Sequence, residues 1–290
     1  MGRSSLKLKD YAELIRIEHT LFSLPFAYSG AVLVRIPTLK EVILIFTALF
    51  GIRSYSLIIN NLVDAEIDKA NPRTANRPIP SGRVSKGEAL GLAAASLAIY
   101  FISAYLLNKY AFILSPIFPI LATVYPFLKR YVPIAHFWLG AILGGAVIGG
   151  AIAVSGDAPN LISALLRVPW TYVVAVSAWV ASFDALYAIL DIDFDRSMGL
   201  HSLPADFGIK RAIRIAEITA LIFAIAIVYS VSLYKLNILG SSMSAAGLFL
   251  HSKLFGMAEV NPEEAARRSL NTSLIVGLLV GGAPLTKLIP

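Results

Sequence analysis

The chain has 290 residues, of which 57% are hydrophobic and only 15% charged, and its mean hydropathy is +0.72. Soluble domains carry about a quarter charged residues, so a soluble globular fold is excluded and an integral membrane protein is indicated. The formal charge of +7 belongs with cytoplasmic loops and lipid headgroups rather than with nucleic acid, and the absence of cysteine excludes disulfides.

The first segment, MGRSSLKLKDYAELIRIEH, is too charged for the apolar region of a signal peptide. Leu6, Leu8, Tyr11, Leu14 and Ile15 give it one apolar side, which predicts an amphipathic helix lying on the membrane surface. Apolar runs separated by polar breaks then predict nine membrane-spanning helices, near 20–36, 41–63, 88–107, 110–128, 134–154, 169–190, 212–234, 236–252 and 270–288. The eighth contains SSMSAAG and is the least apolar of them. The pattern lacks the two-residue period of a closed barrel, the other way to satisfy backbone groups in lipid, so the chain reads as all-α. GGAVIGG at 144–150 reads as close helix packing.

The N-terminus and the loops after spans 2, 4, 6 and 8 hold 18 of the 25 Lys and Arg, the opposite side holds 6, and Arg53 lies inside a span. The positive-inside rule therefore puts the N-terminus and those loops in the cytoplasm. Two of the loops, about 64–87 and 191–211, are long and rich in charge, and long loops between packed elements are usually functional. They follow spans 2 and 6, which suits an internal repeat of a four-helix unit, about 20–128 and 134–252, within one domain of 1–290.

Both long loops begin with acids on a helix end. Asn60, Asp64 and Asp68 lie at i, i+4 and i+8, and Asp184, Asp191 and Asp195 at i, i+7 and i+11, so each set shares one helix face. Arg53 lies two turns before Asn60, deeper in the span, and Tyr187 falls within the second set. Taken singly, each acid reads as an interfacial anchor, and Arg53 and Asp184 as a structural ion pair. Two D-x-x-x-D patterns on one membrane side, each with a long polar loop, point instead to a divalent cation held by carboxylates. Arg73, Arg77 and Lys129 stand on the same side, and Tyr125 shares a face with Lys129 at i, i+4. Arginine forks and metal ions together suit a diphosphate. His19, His136 and His251 read as interfacial or packed, with no zinc-ligand spacing. No nucleotide-binding glycine loop is present.

The pattern NNLVDAEID at 60–68, followed by RTANRPIPSG at 73–82, with YPFLK at 125–129 and DIDFD ahead of GLHSLPADFG, resembles the UbiA superfamily of intramembrane prenyltransferases over essentially the whole chain. The branch it is most similar to is the 4-hydroxybenzoate polyprenyltransferases. The family's first motif is N-D-x-x-D-x-x-x-D, and this chain has Asn61 where the family has its first Asp.

The resemblance implies nine helices around a central polar cavity with two cytoplasmic cap loops, and transfer of a prenyl group from a prenyl diphosphate to an aromatic acid. It implies two Mg²⁺ ions, one on Asp64 and Asp68 with Asn60 assisting, the other on Asp191 and Asp195. Arg73, Arg77, Lys129 and Tyr125 are then expected to bind phosphate oxygens, Arg53 to bind the acceptor's carboxylate or orient Asn60, and Asp191 or Asp184 to take the acceptor's proton. The expected partners are these substrates and membrane lipid, with no protein partner. Two alternatives remain at this point. One is the same chemistry on another acceptor, such as a geranylgeranylglyceryl phosphate or a menaquinone precursor. The other is a cation transporter, which would place its acids near mid-membrane.

Overall fold

The computed structural model describes residues 3–15 and 17–289. Arg16 and the side chains of Arg3, Leu6 and His19 lie outside the described residues. Fifteen α-helices follow one another, and no strand forms among the described residues. They are α1 (Arg3–Ile15), α2 (Ile17–Val34), α3 (Leu39–Val63), α4 (Ala65–Ala70), α5 (Lys86–Leu107), α6 (Lys109–Leu114), α7 (Ile117–Leu128) and α8 (Ala135–Ala153). Then come α9 (Leu161–Leu166), α10 (Trp170–Tyr187), α11 (Ile192–Ser197), α12 (Leu203–Phe207), α13 (Ile209–Leu233), α14 (Ile238–Val260) and α15 (Pro262–Gly282). Two 3₁₀ segments, Ala188–Asp191 and Ala283–Leu288, extend α10 and α15.

Helix starts follow from side-chain chemistry. Thr38 with Glu41 and Ser85 with Glu88 form complete capping boxes at α3 and α5, each satisfying backbone N–H groups the helix leaves bare. Asn108, Asn160, Asn237 and Asn261 cap α6, α9, α14 and α15.

Among the described residues seven helical segments are long and apolar enough to cross a membrane, 39–63, 86–107, 109–128, 135–153, 170–197, 209–233 and 262–288. The stretch Leu21–Val34 is apolar but shorter, and α14 is not among the seven. Three boundaries differ from the sequence expectation. The fourth span breaks at Ser115–Pro116 into α6 and α7, because proline cannot donate to the preceding turn. Helix α14 runs to Val260, with only Asn261 between it and α15, so the expected loop after 252 is helix. The two long loops are not bare either, since α4, α11 and α12 lie within them.

Helix α10 is the axis of the bundle: 67% of its apolar window is buried, against 28% for α3, α5 and α13. Trp179 and Tyr172 are its largest enclosed side chains, and Phe22 and Phe26 of α2 pack on Trp179. The outer face of α13 leaves Ile218, Leu221, Ile225 and Val228 exposed, as lipid-facing helices do. Amino-terminal α1 buries Leu14 but leaves Leu8 open. Polar contacts fasten it to the first long loop and α5. Arg83 pairs with Asp10 and Glu13, while Lys7 and the Tyr11 hydroxyl both reach Glu88.

Helices α2 and α8 touch backbone to backbone. A β-carbon on Gly150 would stand 1.8 Å from the Ala27 carbonyl oxygen, and one on Gly30 would stand 2.1 Å from that of Val147. Gly150→Ala therefore lowers the melting temperature of the detergent-solubilised protein, since overpacking costs about 1–3 kcal/mol. Gly149→Ala, whose new methyl meets nothing within 4 Å, is the control. Equal melting temperatures for the two variants would show that the helices are not held at this distance.

Candidate active site

Three helices end at the same place. The chain kinks at Asp64, where α3 stops and α4 begins, yet the backbone bonds Asp64 N–H to Asn60 O (3.0 Å) and Asp68 N–H to Asp64 O (2.7 Å) carry the i+4 register through the kink. Asn60, Asp64 and Asp68 thus stay on one face. Helix α7 ends at Leu128 with Lys129 as its cap, one turn after Tyr125. Helix α10 tightens into the 3₁₀ turn at 188–191 and then resumes as α11.

A pocket of about 170 Å³ opens between these ends, and Asn60, Asp64, Asp68, Arg73, Arg77, Tyr125, Lys129, Asp191 and Asp195 all line it. Nine of the eleven residues singled out from the sequence therefore meet in one place. Arg53 and Asp184 are not in its lining.

Inside the pocket three of the four acids face a cation. Lys129 donates to Asp64 Oδ2 at 2.5 Å, Arg77 to Asp68 Oδ2 at 2.7 Å, and one nitrogen of Arg73 to both oxygens of Asp191 at 2.9 and 2.7 Å. The second nitrogen of Arg73 donates to the Tyr187 hydroxyl at 2.8 Å. Burial pushes the Asp64 carboxyl above the usual carboxylate range, and Lys129 beside it acts in the opposite direction. Its Oδ1 is buried with no hydrogen-bond partner; Arg130, 3.6 Å away, donates instead to the Val63 carbonyl. Ser202 donates to Asp195 Oδ2 at 2.9 Å. Asn61, at the position where the resembled family has an acid, turns back and donates to the Leu57 carbonyl of its own helix at 2.8 Å. It does not line the pocket, so the departure removes no group from it.

The pocket suits a magnesium ion better than a caged one. Among the described residues no three or more His, Asp or Glu converge as a ready metal site. Mg²⁺ is commonly held by one or two carboxylates plus substrate phosphates, and the unpartnered Asp64 Oδ1 is a donor of the hard oxygen type it takes.

Deeper in the bundle lies a cavity of about 400 Å³ between α2, α3, α5, α6, α7 and α8. Its walls are mostly aliphatic and aromatic, among them Leu49, Ile52, Phe118, Leu121 and Leu143, and Arg53 is the one charged residue in its lining. The expected central polar cavity is thus corrected: the charged pocket sits at the helix ends, and the space within the bundle is apolar. The structural ion pair that is the bland reading of Arg53 and Asp184 does not form. Arg53 Nε is buried without a hydrogen-bond partner, while Asp184 Oδ2 meets His136 Nδ1 at 2.7 Å. The 3₁₀ turn interrupts the helix between Asp184 and Asp191, and Asp191 and Asp195 line the pocket whereas Asp184 does not.

Sequence reasoning missed His136, Ser202 and Arg130. Arg130 stands next to Lys129, and from sequence alone the pair also reads as a positive-inside anchor. His136 and Asp184 are 48 residues apart, and no local spacing announces them.

Fold and site together define a class: an all-helical multi-pass membrane protein with a charged pocket over an apolar cavity. Known proteins agree. The model of the UbiA prenyltransferase family matches residues 23–275. A 4-hydroxybenzoate octaprenyltransferase from Aeromonas salmonicida is 30% identical over 287 residues, covering 97% of this chain and 93% of that protein. The solved apo structure of a UbiA homolog from Aeropyrum pernix is 44% identical, with a TM-score of 0.88 over 94% of this chain and 99% of its own. A UbiA homolog from Archaeoglobus fulgidus bound to GPP and Mg²⁺ shares the fold, with a TM-score of 0.69 at 20% identity, covering 96% and 99% of the two chains. The chain belongs to the UbiA prenyltransferase family, and it is a transferase.

Proposed function

We propose that this protein transfers a prenyl group from a polyprenyl diphosphate to an aromatic acid of the 4-hydroxybenzoate type, with Mg²⁺. One observation carries the reading: a pocket of four carboxylates and three cationic side chains lies at the helix ends, above an apolar cavity with a lone arginine. A diphosphate fits the first and its hydrocarbon tail the second.

Asp64, Asp68, Asp191 and Asp195 would hold Mg²⁺, which when bound supplies positive charge against the leaving diphosphate. Arg73, Arg77 and Lys129 donate to phosphate oxygens, with Tyr125 beside them, as negative charge grows there. The allylic C–O bond breaks and its electron pair leaves on the diphosphate. The freed allylic carbon bonds to a ring carbon of the acceptor, which gives up a proton. Asp184 is the better base, because both Asp191 oxygens are already held by Arg73, whereas among the described residues no hydrogen bond reaches Asp184 Oδ1. Pocket walls from the first long loop (Arg73, Arg77) and the second (Leu200) keep water from the cation. A cation path is a poorer account, since arginines pair with the acids at one end of the bundle.

We also read α2 and α14 as crossing the membrane. That makes nine spans, with the pocket and the N-terminus on the cytoplasmic side. The matched roles of α3 and α10 support a repeated four-helix unit within one domain.

Arg53 is the acceptor's carboxylate partner in this reading. Arg53→Met raises the KM for the aromatic acid about 10- to 100-fold, the worth of a hydrogen bond to a charged group. The protein stays at least as stable, because the charge removed is buried and unpaired. Unchanged KM would take Arg53 out of the acceptor site. The reading as a whole is tested by incubating the purified protein with geranyl diphosphate, Mg²⁺ and 4-hydroxybenzoate. A prenylated acid and released diphosphate are expected. Product only with a geranylgeranylglyceryl phosphate would move the acceptor to lipid, and cation flux in liposomes without diphosphate release would overturn the enzyme reading.

A further inference from the structure

We propose that His136 is a positioning residue for Asp184, and that it ties this carboxylate to the same loop segment that touches the charged pocket. The proposal deepens, and rests on, the reading of Asp184 as the acceptor's base. His136 sits in the first turn of α8 and is 5% exposed. Its Nδ1 is 2.7 Å from Asp184 Oδ2, and the backbone N–H of Leu203 points to its Nε2 at 3.4 Å. A carboxylate can only accept and a backbone N–H can only donate. The imidazole therefore carries its proton on Nδ1, donates it to Asp184, and accepts from Leu203 with Nε2.

Two consequences follow from that tautomer. Both ring nitrogens are committed, Nδ1 to Asp184 and Nε2 to Leu203, so the ring does not relay a proton onward from Asp184. It acts on the carboxylate's direction, leaving Oδ1 as the atom that meets the acceptor. It also joins Asp184 to the segment 201–203, each of whose residues reaches toward the site. The His201 N–H donates to the Lys129 carbonyl at 2.6 Å, Ser202 Oγ to Asp195 Oδ2 at 2.9 Å, and the Leu203 N–H to His136. The base and the diphosphate pocket are thereby set by one short stretch of chain.

Two substitutions separate the two nitrogens. Asparagine places its amide near the Nδ1 position and glutamine near Nε2. His136→Asn keeps a donor to Asp184 and retains kcat for prenylation of 4-hydroxybenzoate within a few-fold. His136→Gln leaves Asp184 without its donor and lowers kcat about 100-fold, the cost of a misplaced reacting group. The KM for geranyl diphosphate and the melting temperature stay as in the parent for both. Asp184→Asn is measured alongside. In that background His136→Gln costs nothing further, because it has no carboxylate left to direct.

Equal activity of the Asn and Gln variants, an equal loss in both with a lowered melting temperature, or an additive loss in the double variant would overturn the role of His136. If Asp184→Asn itself prenylates at the parent rate, the base assignment fails, whatever His136 does. If Asp184→Asn is dead and His136→Gln is fully active, only the positioning role fails.

Discussion

Asp191→Ala leaves a folded protein whose prenyl transfer falls by about 10³-fold or more, the scale on which lost charge stabilisation of a transition state is felt. Stability changes little, because Arg73, which grips Asp191, has a side chain 51% exposed, and exposed pairs contribute at most about 1 kcal/mol. The same turnover loss is expected for Asp68→Ala, but there the melting temperature drops as well. Asp68 is only 8% exposed, and removing one member of a buried pair strands the other, here Arg77, at a cost of about 3–5 kcal/mol. The two variants thus separate chemistry from folding. Turnover retained in either, measured as diphosphate release and prenylated product, would overturn the assignment of these acids to the metal.

Chelation with EDTA brings turnover to the uncatalysed background, and added Mg²⁺ restores it fully. The expected effect is this large because the pocket's own cations are already spoken for by its acids. Without added positive charge, the site offers a diphosphate no net attraction beyond that of three cations paired to carboxylates. Full activity in EDTA, after dialysis against the chelator, would mean that Arg73, Arg77 and Lys129 suffice alone.

The charged half of the site was legible because lipid makes charge conspicuous. An acid at the end of an apolar run is costly unless used, so Asp64, Asp68, Asp191 and Asp195 stand out without any knowledge of the fold. The i, i+4 relation of Asn60, Asp64 and Asp68 survives the kink because its backbone bonds do. The partners were not legible, because they are chosen by tertiary packing: Arg73 meets Asp191 across 118 residues and His136 meets Asp184 across 48. The 3₁₀ turn at 188–191 has the sequence AILD, with neither glycine nor proline to signal the interruption between Asp184 and Asp191. By contrast Pro116 does mark the break between α6 and α7. Helix α14 ran past its expected end because Lys253 and Glu259 look like loop residues, yet they ride on the final turns of a helix that outruns its apolar stretch.

The pairing of Asp64, Asp68 and Asp191 with candidate phosphate ligands has one more consequence. A lone metal ion that takes Asp68 or Asp191 must pull it from its arginine and leave that arginine unmatched. A lone diphosphate must pull the arginine and leave the carboxylate unmatched. When both arrive, the pairs exchange partners and these carboxylates and arginines are matched again. The pocket is therefore a logical AND on two inputs, responding weakly to either and strongly to both. By linkage, each input tightens the binding of the other by the same factor.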